Sequence, residues 1–201
     1  DEYGVPANSM HYFRGGQEQA GRIEKAAIAL PSGFRLEDIA PDKTLSSMLA
    51  AGEIDALIAP RAPSTLGDGS GQVRRLFPDY ATLERAYYQK TKIFPIMHFV
   101  AIRRDVYEAN PWVAQSLLKA FTAAQKLAYD DLHEIAALKV MLPWLPAELD
   151  ATERLMGRDF WPYGYGANVH ALATFLRYSF EQGLAGRLLD PKELFAPSTL
   201  D

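Results

Sequence analysis

Cysteine is absent from these 201 residues, which excludes disulfide staples, thiolate zinc sites and a catalytic thiol together. Long apolar runs are absent too, and none approaches the length needed to span a bilayer. Positive charge is not in excess. Lys and Arg number 21 against 25 Asp and Glu, a net charge of −4, which argues against a broad electrostatic surface for nucleic acid. There is no G-x-S-x-G elbow for a hydrolase serine. The three glycines between Pro60 and Gly71 do not match G-x-G-x-x-G, and no lysine follows in P-loop position. Four histidines are present, and none pairs with another at helix spacing. His133-Glu134 opens like H-E-x-x-H, but Ala137 stands where the second histidine is required. Neither a metal nor a cofactor is expected.

What remains is ordinary globular material. Hydrophobic residues make up 48% and charged residues 23%, enough for one large domain or two small ones. The opening Asp1-Glu2-Tyr3-Gly4-Val5-Pro6 reads like a helix ending, with Gly4 as its cap and Pro6 beyond, so a preceding segment is expected. Ser9 to Arg14 is rich in aromatics and closes on Gly15-Gly16, which predicts a short strand. Gln17 to Ser32 is ambiguous, and Phe34 to Ile39 is a weak strand or turn. Thr44 to Ala51 places Leu45, Met48 and Leu49 on one helical face and stops at Gly52. Ile54 to Ala59 then reads as a buried parallel strand, interrupted only by Asp55. Helix, glycine and buried strand in that order predict an α/β sheet.

Pro60 to Gly71 is a loop. A helix follows within Leu76 to Lys92, starting at Asp79, and Ile93 to Ile102 is the most hydrophobic strand candidate, with Pro95 demoting one end. Beyond Arg104 the character turns helical. Asn110-Pro111 predicts a helix start, with Asn110 as N-cap, and the apolar stripe runs towards Ile135. Leu142 to Pro146 breaks it, a shorter helix spans about 147–156, and a last helix runs from near Asn168 to Gln182.

Few residues stand out for chemistry. Arg61 lies just past the predicted strand end, where α/β sheets place ligands, so it is either a fork for a carboxylate or phosphate or a surface arginine. Asp55 is either a strand-end hydrogen-bonding group or a buried acid. His98, within an apolar run, is either a satisfied core group or a proton carrier. The aromatic turn from Asp159 to Gly164 holds Trp161 and Tyr163, which either cap a core or wall an aromatic ligand.

Several segments, in order, resemble the second half of bacterial 4,5-dihydroxyphthalate decarboxylases. They are Ala50 to Ile58 with Arg61 and Pro63, Val73 to Tyr80, Thr91 with Phe94 to His98, and Asn110-Pro111-Trp112. Met156-Gly157, Asp159 to Gly164, Gln182-Gly183-Leu184 and Glu193 to Pro197 complete the set. Members of that family more often carry Trp where His11 stands, and they have an N-terminal portion absent from this sequence. The resemblance implies an α/β fold of the type II periplasmic-binding-protein-like kind. On it, this chain would be the second lobe plus the C-terminal helical part of the first. Residues 1–92 would form the second lobe, 93–103 a crossover or hinge strand, and 104–201 a mainly helical return to the first lobe.

The resemblance further implies a cofactor-independent decarboxylase of a hydroxylated aromatic carboxylate, working in the cytoplasm. His98 would protonate the ring, Arg61 and Thr91 would bind the substrate, and Trp161 and Tyr163 would wall the site. The rival reading is a periplasmic solute-binding protein that captures an aromatic or carboxylated molecule without catalysis; a third is a metal-assisted form of the first. The partner expected is a small aromatic carboxylate, with neither nucleic acid nor membrane. Helices whose sheet partners are mostly outside the sequence should leave exposed apolar surface on 105–201, covered by a second copy or by the absent N-terminal segment.

Overall fold

Strand-forming residues near the start find a partner, and among the described residues those later in the chain do not. In a computed structural model that describes residues 2–22 and 30–200, the chain divides into two units. The first holds 1–80 and 181–186, and the second 81–180 and 187–201.

In the first unit, β1 (His11–Arg14) pairs in parallel with β2 (Arg35–Asp38), His11 opposite Arg35 and Arg14 opposite Asp38. Cross-strand polar contacts reinforce the register: Arg14 Nε donates to Asp38 Oδ1 at 2.8 Å, and His11 Nε2 lies 2.9 Å from Glu37 Oε1. The glycines after β1 are sterically required. A Cβ on Gly16 would lie 1.9 Å from the Gln19 carbonyl oxygen. Part of the ambiguous 17–32 stretch, residues 23–29, lies outside the described residues.

Helix α1 (Leu45–Ala50) forms where its periodicity predicts. Thr44 caps it, its Oγ1 accepting from the Ser47 N–H at 3.1 Å, and the Ser47 hydroxyl accepts in return from the Thr44 N–H. Met48 is buried beneath it, and Gly52 at φ 70° ends the turn. The predicted strand over 54–59 is not one. Those residues make no ladder, Ile58 is 96% exposed, and Asp55 is exposed rather than a buried acid. An apolar run specifies burial, but a strand also needs a neighbouring backbone, and none pairs with it among the described residues. Residues 60–71 are a loop as expected, with Gly67, Gly69 and Gly71 at positive φ.

The second unit is helical. It comprises α2 (Tyr80–Thr91, whose first residue belongs to the first unit), α3 (Arg104–Ala109), α4 (Trp112–His133), α5 (Leu145–Met156) and α6 (Val169–Glu181, whose last residue does likewise). Residues 93–102 correct the second strand prediction: the run is irregular, for want of a paired backbone and with a proline that lacks an N–H. Asn110 corrects a third expectation. It closes α3 instead of capping α4, its N–H donating to the Val106 carbonyl at 3.0 Å, and Pro111 stands at the N-cap. The short α3 gave no periodic signal of its own.

The core of this unit is small. Ala114 of α4, Leu149 of α5, and Leu172 and Leu176 of α6 are buried, and Leu172 is 1% exposed. Leu172 and Leu176 lie one turn apart, so a single stripe of α6 supplies half of that core. Much apolar surface stays open on 105–201, including Trp112, Leu127, Ile135, Met141, Trp144 and Phe175. Among the described residues no helix is long and apolar enough to cross a membrane.

Candidate functional site

A cavity of about 1180 Å3 opens within the second unit, between the 92–102 segment, α4, α6, the aromatic turn and the C-terminal turns. Ala114, Leu172 and Leu176, the buried core residues, reach its wall. The volume exceeds the few hundred Å3 of a closed small-ligand pocket, so this is a broad groove rather than a sealed chamber.

His98, Trp161 and Tyr163 all line it. Three of the five expected site residues therefore meet on one surface. The His98 imidazole is exposed and has no hydrogen-bond or ion-pair partner among the described residues, so neither ring nitrogen is committed.

The aromatic turn is held by groups the sequence did not advertise. Tyr129 of α4 accepts the Trp161 N–H at 3.0 Å, and its hydroxyl donates to Asp159 Oδ1 at 3.2 Å. Gln125, one turn earlier, donates from Nε2 to the Trp161 carbonyl. Burial pushes the Tyr129 phenol above its ordinary range, so it stays protonated and able to donate. Asn168 donates to the Pro162 and Gly164 carbonyls at 2.8 and 2.9 Å, closing the turn from its other end. The Trp161 ring meets Phe94 at 5.3 Å with planes tilted by 58°, and Phe160 packs on Tyr129 at 4.9 Å. Phe160, Trp161 and Tyr163 all line the cavity, and Phe160 also packs on Tyr129 of α4, so the turn both packs on a helix and walls the groove. The signal for the Tyr129 role was its place, Gln125 and Tyr129 standing four residues apart on one helix face.

Thr91 does not line the cavity. Its hydroxyl donates to the Tyr87 carbonyl at 2.8 Å and accepts the Ile93 N–H at 3.1 Å, so it finishes α2 and starts the 92–102 segment. The Thr91 carbonyl lies 3.0 Å from His170 Nε2. A carbonyl only accepts, so that nitrogen carries the hydrogen. Lys92 follows at φ 57°, a left-handed backbone rare for a side-chain-bearing residue, and it too lines the cavity. From the sequence His170 is only one of four histidines without metal-binding spacing, and Lys92 is not singled out.

Arg61 belongs to the first unit. It is exposed, on the loop after 54–59, and its carbonyl accepts from Gln17 Nε2 at 3.1 Å. Its guanidinium has no hydrogen-bond or ion-pair partner among the described residues, which leaves all five donors available. No three His, Asp or Glu side chains gather closely enough among the described residues to hold a metal ion.

No family model matches the chain. Over all 201 residues it is 41% identical to a protein from Comamonas testosteroni named 4,5-dihydroxyphthalate decarboxylase, and it spans 61% of that protein's length. A second protein of the same name, from Pseudomonas putida, is 42% identical over 79 residues, which are 39% of this chain and 31% of that relative. The likeness read from the ordered segments therefore holds from one end of the chain to the other, against a relative named 4,5-dihydroxyphthalate decarboxylase of which the chain spans 61%.

Proposed function

We propose that the protein takes part in decarboxylating a hydroxylated aromatic carboxylate of the 4,5-dihydroxyphthalate type. What supports the reading most is the grouping of His98 with Trp161 and Tyr163 on one aromatic-walled cavity, in a chain similar throughout to a decarboxylase so named. Ring hydroxyls push electron density onto the carbons that bear the carboxylates, so such a carbon accepts a proton. An imidazolium is the side-chain acid best matched to that task near neutrality.

In this reading the His98 proton forms the new C–H bond, drawing a pair from the ring. The bond to the carboxylate then breaks, its electron pair restores the aromatic ring, and carbon dioxide leaves. The product is a dihydroxybenzoate, and the imidazole regains its proton from water. Phe94, Trp161 and Tyr163 supply a weakly solvating wall that disfavours the departing carboxylate. Arg61 suits the carboxylate that stays, and Thr91 sets the start of the segment that bears His98. The fold would be of the type II periplasmic-binding-protein-like kind, with 1–92 as the second lobe, 93–103 as the hinge and 104–201 as the helical return.

Carbon dioxide release from a panel of hydroxylated benzoates and phthalates tests the reading. Turnover of 4,5-dihydroxyphthalate, with unsubstituted phthalate bound but not turned over, is the expected pattern. Binding across the panel without any release would instead favour a solute-binding protein.

A further inference from the structure

The turn after β1 carries an acid that the proposed reaction does not use. Glu18 accepts hydrogen bonds from Ser46 Oγ at 2.6 Å, the Ser64 N–H at 2.9 Å, Ser64 Oγ at 2.7 Å and Gln17 Nε2 at 3.3 Å. Gln17 Nε2 also donates to the Arg61 carbonyl at 3.1 Å. One carboxylate thus gathers donors from three segments. Those bonds, the Ser46 hydroxyl first, hold its pKa down at about 2, so it is ionised wherever the chain is folded near neutrality.

The two ends of this network differ. Ser46 is 2% exposed on α1, and α1 is tied to the Glu18 turn by its own backbone: the Leu45 and Ser46 N–H groups donate to the Gly16 and Gln17 carbonyls at 3.0 and 3.1 Å. Gly16, where no Cβ fits, is what lets the chain turn back at that point. The other end is the exposed loop, held at the Arg61 carbonyl and at Ser64. Arg61 therefore combines a pinned backbone with an uncommitted guanidinium. A bidentate fork reads a planar anion only from a fixed direction, and this combination provides it.

We infer that Glu18 is a positioning residue for carboxylate recognition, fixing loop 61–64 against α1 so that Arg61 presents a free guanidinium to an aromatic carboxylate. The recognition half rests on the proposed role of Arg61; the fixing of the loop does not.

The test combines proteolysis with a double-mutant cycle on the 201-residue chain. Ala62 follows Arg61, so trypsin can cut there. Glu18→Gln keeps the shape but removes the charge, and cleavage after Arg61 should accelerate about tenfold. The Kd for phthalate, and the KM for dihydroxyphthalate, should rise about tenfold with kcat within about twofold of the parent. A residue serving stability alone would lower the melting temperature and the active fraction, leaving KM unchanged. In the cycle, Glu18→Gln added to Arg61→Met should weaken phthalate binding no further than Arg61→Met alone. Additive losses, or an unchanged cleavage rate, overturn the inference. A parent that binds phthalate but releases no carbon dioxide sinks the decarboxylase reading and leaves the cycle to decide Glu18. A parent that does not bind phthalate overturns both.

Discussion

Two loops carry the residues proposed to handle substrate, and they are held by opposite means. The Arg61 loop in the first unit is held by directional bonds, at Ser64 to the ionised Glu18 carboxylate at 2.7 and 2.9 Å and at the Arg61 carbonyl from Gln17 at 3.1 Å. The 92–102 segment in the second unit, with His98, makes almost no such bonds past its start among the described residues and lines a largely apolar groove. The lesson is that a carboxylate fork needs a fixed direction, which hydrogen bonds give. A proton donor beside an aromatic ring needs a poorly hydrated wall, which packing gives.

The comparison breaks most visibly at His98. His98→Gln keeps a similar volume but cannot deliver a proton at useful pH, so carbon dioxide release should fall at least about 100-fold. Phthalate affinity should stay within about twofold, read by titration of the same variant. Equal turnover would remove His98 from the reaction.

Packing in the second unit is tested at Leu172, which is 1% exposed and reaches the groove wall. Leu172→Ala should destabilise by about 2–5 kcal/mol in urea unfolding, because the hole cannot collapse fully. A cost below about 1 kcal/mol would mean that the stripe on α6 does not carry the core.

Proton linkage separates the units by sign. Glu18 has its folded pKa lowered from 4.5 to about 2, so its contribution is complete above 4.5 and is lost as pH falls through about 2. Exchange of the Ser64 amide, corrected for the intrinsic rate, should quicken over that acid window. In the second unit, His133 at the end of α4 faces two acceptors, the Tyr129 carbonyl at 2.6 Å and Glu153 Oε1 at 2.9 Å. Both nitrogens can donate only in the imidazolium, and the Tyr129 carbonyl, then Glu153, raise its pKa above 6.5 against the opposing charge of Arg158. Its contribution is therefore complete below 6.5 and is lost as pH rises through the raised value. Both groups are largely solvated, so these are small effects, best followed by site-resolved NMR. A His133 ring that titrates below 6.5 would contradict the bridge.

The smallest effect is expected at Ile58, where a buried strand was predicted. At 96% exposure, Ile58→Ala should change stability by no more than about 0.5 kcal/mol. A loss of 2 kcal/mol or more would restore the buried strand.

Helices other than the short α3 were legible because each carries its own signal. Leu45, Met48 and Leu49 mark a face of α1, and Thr44 and Gly52 mark its ends. Strands were legible only where a partner exists. His11–Arg14 found Arg35–Asp38, whereas the more hydrophobic runs at 54–59 and 93–102 found nothing to pair with among the described residues. His98, Trp161 and Tyr163 were visible as chemically suggestive residue types in the right order, and they do share a surface. Thr91, chosen as a binding residue, turned out to finish a helix. The roles of Glu18, Asn168 and His170 were not visible, since each acts on a carbonyl, amide or hydroxyl far away in sequence or hidden within a turn, and Tyr129 was marked only by its spacing from Gln125.

The sequence by itself determined the likeness to the decarboxylases, most of the helices, the lack of thiol chemistry and the short set of residues able to give a proton or grip a carboxylate. Those follow from residue identity and local spacing, which a linear chain states outright. The tertiary structure alone decided which apolar runs pair, which polar groups are spoken for, and that His98 is uncommitted while Arg61 is uncommitted on a pinned backbone. Those depend on hydrogen-bond partners tens of residues apart, and neither periodicity nor composition records them.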